Sequence, residues 1–120
     1  MKVSLDEIKE AVADVARENG AQCAILFGSY ARGTATNRSD VDVIFVEDTN
    51  LPFLKRLDRY LGSLVDRLHT PAEVLVYTPR EFERMKDRPF IRQALKEGVV
   101  LYEHGKVQTR GKPMVVPGAG

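Results

Sequence analysis

Three acidic residues and a Gly-Ser turn are the part of this sequence able to do chemistry. Gly28-Ser29 ends the apolar run Ala21–Phe27, Asp40-Val41-Asp42 opens the next apolar run, and Glu73 opens a third. Glycine has no Cβ to hold a phosphate away from the backbone. A serine at the start of a short helix adds a hydroxyl where free amides and the helix dipole favour an anion. Residues two apart on a strand share a face, with Cα atoms about 6.5 to 7 Å apart. Asp40 and Asp42 can therefore turn their carboxylates toward the same hard cations. Mg²⁺ prefers oxygen ligands and substrate phosphates, and two ions about 3.5 to 4 Å apart can stabilise both the attacking and the leaving oxygen of an in-line displacement. The chemistry to expect is displacement at a nucleoside triphosphate.

The coupling of these features carries the reading, since each alone is weak. An isolated Asp-x-Asp arises by chance about 0.4 times in a chain of this length, and its bland interpretation is a solvated strand entrance. Glu73 taken alone is a solvated strand-end glutamate; as a third strand-opening acid it completes the set. Glu47 and Asp48 fall at the far end of the second strand and read as a turn. Gly28 and Gly33 have the spacing of a P-loop, but Thr34 and Ala35 stand where that motif needs Lys and Ser or Thr. The three-glycine dinucleotide fingerprint is also absent.

The elements that must position these residues follow from capping and periodicity. Ser4 with Glu7 forms a capping box opening a helix with Leu5, Ile8, Val12 and Val15 on one face, closed at Asn19-Gly20. The run Ala21–Phe27 is a buried strand, and Ser29 is placed to cap a short helix through about Thr34. In the second strand, Val41–Val46, with Asp40 at its entrance, alternation puts Asp40, Asp42, Ile44 and Val46 on one face and Val41, Val43 and Phe45 on the other. A long amphipathic helix shows Leu54, Leu57, Leu61, Leu64 and Leu68 at helical spacing. Glu73–Tyr77 is a third strand, and Thr78-Pro79-Arg80-Glu81 is a second capping box. Pro89 starts a helix with Phe90, Ile91 and Leu95 inward, and Val99–Glu103 is a final edge strand. The fold class is α/β (α+β). Gly28 ends its strand, whereas the acids begin theirs. The first strand must then run antiparallel to the second and the third parallel to it, giving a mixed sheet flanked by helices.

A chain of 120 residues with 43% apolar and 29% charged residues fits one domain, here 1–105, followed by a polar segment, 106–120, read as a flexible tail. A net charge of +1 gives no electrostatic case for direct nucleic-acid binding. No apolar run is long enough for a membrane span, and the N-terminus lacks the pattern of a signal peptide. The one cysteine, Cys23, lies in an apolar run and reads as a core residue, which fits the cytoplasm.

Gly28-Ser29-Tyr30-Ala31-Arg32-Gly33, followed after five residues by Ser39-Asp40-Val41-Asp42, resembles the signature of the minimal nucleotidyltransferases in the DNA polymerase β superfamily. The resemblance implies transfer of a nucleoside monophosphate, AMP from ATP, to a hydroxyl with loss of pyrophosphate. It implies that Gly28 and Ser29 hold the triphosphate, with Arg32 as a further phosphate contact or, equally, an outward salt bridge. Asp40 and Asp42 would bind two Mg²⁺ ions, with Glu73 as a third ligand or as the base for the acceptor. Small members of the family pair with a HEPN-domain toxin as its antitoxin, and some transfer AMP to a tyrosine of that partner. A hetero- or homo-oligomer is compatible with this. The alternatives are a module neutralising its partner by contact alone and a subunit of an antibiotic-modifying nucleotidyltransferase. The latter relatives carry a further helical domain to hold the drug.

Overall fold

The computed structural model describes residues 2–104 and, by their backbone, 106–112. Helix α1 (Leu5–Asn19) starts at the Ser4–Glu7 capping box and ends on left-handed Gly20. It leads into β1 (Cys23–Phe27), the short α2 (Gly28–Arg32) and β2 (Val41–Val46). Then follow α3 (Phe53–Leu68), β3 (Ala72–Tyr77), α4 (Pro79–Met85), α5 (Pro89–Glu97), β4 (Val99–Glu103) and β5 (Lys106–Lys112). The strands form one sheet in the order β3-β2-β1-β4-β5. β1 is antiparallel to β2, and β2 is parallel to β3. This is the mixed arrangement that convergence of Gly28 with the acids requires.

The sheet separates two cores. α1 and α3 cover one face, packing Ile8, Val12, Val15, Tyr60 and Leu64 on Val41, Val43 and Phe45. α4 and α5 cover the other, packing Phe82, Ile91 and Leu95 on Ile25, Ile44 and Val46. Cys23 is buried in this second core. At Gly98, between α5 and β4, an added Cβ would lie 2.9 Å from the Ala94 carbonyl oxygen and 2.9 Å from Ile25 Cγ2. No helix among the described residues is long and apolar enough to cross a membrane.

Several expectations need correction. β4 is not an edge strand, because β5 pairs with it antiparallel. Residues 106–112 thus continue the sheet where a tail was expected: β4 exposes a row of backbone donors and acceptors on the side away from β1, and a following segment can satisfy them. Residues 113–120 lie outside the described residues. In α3 the inward face is rotated away from the leucine stripe, leaving Leu54 74% exposed, and Arg56 and Tyr60 take the buried positions beside Leu64 and Leu68. Leu5 and Phe90 are likewise exposed.

Polar partners decide the rotation of α3. Arg56 donates to the carbonyls of Leu51 at 2.8 Å and Val76 at 3.1 Å, and through Nη2 to Glu81 at 3.1 Å. Glu81 in turn accepts the Thr78 amide in the α4 capping box. Glu47 is no simple turn residue. It is buried, accepts the Tyr60 hydroxyl and pairs with Arg59 at 3.1 Å. Removing Arg56 would strand two carbonyls and a partly buried carboxylate. Arg56→Ala should therefore destabilise the protein by about 2 to 3 kcal/mol in urea unfolding; a change under about 0.5 kcal/mol, typical of a surface site, would contradict this role.

Candidate active site

The strand register brings the chemistry together. Phe27 of β1 lies opposite Asp42 of β2, and Asp42 lies opposite Glu73 of β3. All three belong to the sheet face covered by α4 and α5. Gly28 follows directly, with φ +75°. A Cβ at Gly28 would come within 2.1 Å of Asp42 Oδ2, so glycine is required there on two counts, backbone conformation and the close approach of the carboxylate. α2 begins from Phe27 without a side-chain cap. Ser29 therefore sits inside the helix, not at its cap, and its carbonyl accepts the Thr34 amide at 2.9 Å.

These residues line an open cleft of about 360 Å³, within the range of small-molecule sites. Gly28, Ser29, Arg32, Asp42 and Glu73 face it together with Phe90, Gln93 and Glu97 of α5. Arg32 lines the cleft and pairs at 2.9 Å with Glu97, another residue of the cleft wall. Asp40 is exposed just ahead of β2 and is not part of the cleft wall, but its charge acts on Asp42. Burial pushes the Asp42 carboxyl up to about 6, helped by the charges of Glu73 and Asp40 and by hydrogen bonding with Glu73, against the opposing charge of Arg32.

A family model described as Polymerase beta, Nucleotidyltransferase matches residues 10–106. The chain belongs to the polymerase β nucleotidyltransferase family. Two proteins of Methanocaldococcus jannaschii provisionally named as protein adenylyltransferases are similar to it. One is 35% identical over 78 residues, covering 65% of this chain and 75% of the relative. The other is 33% identical over 85 residues, covering 66% of this chain and 56% of the relative. A crystal structure from Sulfolobus solfataricus, provisionally named as a nucleotidyltransferase, superposes with a TM-score of 0.57 at 24% identity, over 86% of this chain and 83% of that one. The MntA–HpeT toxin–antitoxin structure superposes with a TM-score of 0.63 at 20% identity, over 79% and 73%. A toxin–antitoxin structure with AMP-PNP gives 0.60 at 21% identity, over 79% and 73%. At these identities the structural likeness bears on the fold.

In this nucleotidyltransferase the contribution of α5 to the cleft was not anticipated. Ile91, Ala94 and Leu95 make the buried face, and Phe90 is left on its flank. Its place among apolar neighbours in sequence concealed that. Among the described residues no group of three or more His, Cys, Asp or Glu is already gathered closely enough to hold a metal ion. The donors at hand are nonetheless all carboxylates, which suits Mg²⁺. Burial first, and then the charges of Glu73 and Asp40, raise the Asp42 pKa, and an added cation would offset both.

The raised pKa of Asp42 has a sign in stability. A native pKa of about 6 against an ordinary 3.8 means that the folded protein binds more protons than the unfolded chain between those values. Stability from Asp42 therefore falls as pH rises through this window. Asp42→Asn should stabilise the protein at pH 8 by about 1 kcal/mol after allowance for solvent screening, with the gain fading toward pH 4. Urea unfolding at the two pH values checks this, and an equal gain at both would remove the electrostatic cause.

Proposed function

We propose that this nucleotidyltransferase moves AMP from ATP to a hydroxyl of a partner protein, a tyrosine of a HEPN-domain toxin, and so acts as that partner's antitoxin. The observation that carries the chemistry is Asp42 held abreast of Glu73 and against the Gly28 backbone in an open cleft. The protein acceptor is supported by the relatives named as protein adenylyltransferases and the antitoxin role by the toxin–antitoxin structures, one of them with AMP-PNP.

In this reading the Gly28 backbone and Ser29 cradle the triphosphate, and Arg32 offers its guanidinium to the leaving phosphates. Asp40, Asp42 and Glu73 would hold Mg²⁺, which supplies charge neutralisation and polarises the phosphoryl group when bound. The acceptor hydroxyl approaches from the β3 side, where Glu73 takes its proton. The acceptor oxygen bonds to the α-phosphorus, the bond from that phosphorus to the bridging oxygen breaks, and pyrophosphate departs toward Gly28 and Ser29.

Incubation of the protein and its partner with ATP labelled at the α-phosphate should place label on the partner. Asp42→Ala should lower that labelling by about 100-fold or more, the scale of losing a principal electrostatic group. Label on neither protein would overturn the transfer. Full neutralisation of the partner by Asp42→Ala would show that contact alone suffices.

A further inference from the structure

The far end of β3 borders a second pocket. It has a volume of about 300 Å³ and is lined by Phe53 at the start of α3, Tyr77 at the end of β3, and Glu81, Arg84 and Met85 of α4. None of these residues lines the cleft. Glu73 and Tyr77 stand toward opposite ends of the same strand, with Cα atoms about 13 Å apart at the usual rise.

Ring contacts fix the apolar wall. Tyr77 packs against Phe53, with centroids 5.6 Å apart at 43°, and against the fully buried Phe82 at 6.4 Å. The Arg56 guanidinium lies 5.8 Å from the Phe53 centroid and braces that ring. Met85 adds a polarizable thioether, which makes favourable contacts with aromatic rings.

Two polar groups at this wall are uncommitted. Tyr77 is 7% exposed, yet its hydroxyl makes no hydrogen bond among the described residues. No fully buried side-chain N or O among them lacks a partner, so this hydroxyl reaches open space, and the space that Tyr77 borders is the pocket. Burial, and then the charge of Glu81, raise the Tyr77 pKa, so the group is a neutral donor. Arg84 is exposed and has no ion-pair partner among the described residues. Glu81, by contrast, is engaged: it accepts from Nη1 and Nη2 of Arg56 and from the Thr78 amide. Its charge is matched by Arg56, which leaves the Arg84 guanidinium as the unmatched charge of the pocket wall.

We propose that this pocket binds a small aromatic carboxylate. The ring lies against Phe53, Tyr77 and Met85, and the carboxylate accepts from the Tyr77 hydroxyl and the Arg84 guanidinium. A guanidinium forks onto the two oxygens of a carboxylate, and a monoanion matches its single charge. A phosphate monoester carries about −1.5 to −2 and three acceptor oxygens, more than one guanidinium and one hydroxyl satisfy. An organic cation would meet Arg84 while finding Glu81 already paired.

The test is calorimetric titration of indole-3-acetate into the full chain, with indole-3-acetamide as the neutral isostere and acetate as the control without a ring. Indole-3-acetate should bind about 10-fold more tightly than the amide, the scale of a charge-assisted hydrogen bond, and acetate should not bind in the same range. Arg84→Ala should remove that preference and leave the affinity for the amide unchanged, while Arg84→Lys restores part of it. Tyr77→Phe should weaken indole-3-acetate by about 3- to 10-fold. With ¹³C-methyl methionine, Met85 should be the one of the three methionines whose signal moves on binding. Unfolding midpoints show that each variant is folded. Equal affinity for acid and amide would overturn the proposal, as would an Arg84→Ala variant with the preference intact, a Met85 signal that stays still, or no binding of indole-3-acetate at millimolar concentration.

Discussion

Asp42 is held where a carboxylate is least comfortable: partly buried, opposite Glu73 in parallel register, and pressed so closely on Gly28 that no side chain fits there. The row Phe27, Asp42 and Glu73 runs straight across three strands, and much else in the molecule follows from keeping it intact. β1 must run against β2 so that the Gly28 turn arrives at the same edge as the acids. β3 must run with β2 so that Glu73 arrives beside Asp42. Repulsion between like charges works against the fold at this row, so the binding energy of the rest of the sheet has to hold it.

The opposite end of the same strands supplies part of that support. Glu47, just past β2, is buried against Tyr60 and Arg59, while Arg56 ties α3 to the end of β3 and to the capping box of α4. Burial and the bond to Glu47 raise the Tyr60 hydroxyl far above its usual range, so it stays a neutral donor. These partners are satisfied; no buried side-chain N or O among the described residues lacks a hydrogen bond. Around Asp42, by contrast, the charges of Glu73 and Asp40 add to its burial and are opposed by that of Arg32. A site poised to receive a cation and a phosphate has this character.

The backbone logic was legible because it rests on local rules. The capping boxes at Ser4 and Thr78, the alternation along Val41–Val46 and the punctuation at Gly20 and Gly28 are short-range signals. Strand polarity then followed from asking how Gly28, Asp42 and Glu73 could meet. Leu54, Phe90 and Glu47 were read less well, and Arg56 was not singled out, because hydrophobic periodicity assumes that apolar residues turn inward and charged ones outward. A buried Arg56 satisfied by carbonyls from two other elements is a tertiary fact with no local signature. Ser29 was assigned the cap on residue type, yet the chain enters α2 directly from Phe27 through the positive φ of Gly28. Residues 106–112 read as polar tail because strand pairing depends on an open edge, which composition does not report.

The crowding of Asp42 is also the most direct handle on the whole account. Selective ¹³C labelling of aspartate allows the Asp42 carboxyl to be followed by NMR across pH, first without divalent ions and then with Mg²⁺ and a non-hydrolysable ATP analogue. A midpoint of about 6 is expected in the first case, and a shift well below the ordinary aspartate range when cation and nucleotide are bound. An ordinary midpoint unmoved by Mg²⁺ and nucleotide would contradict it.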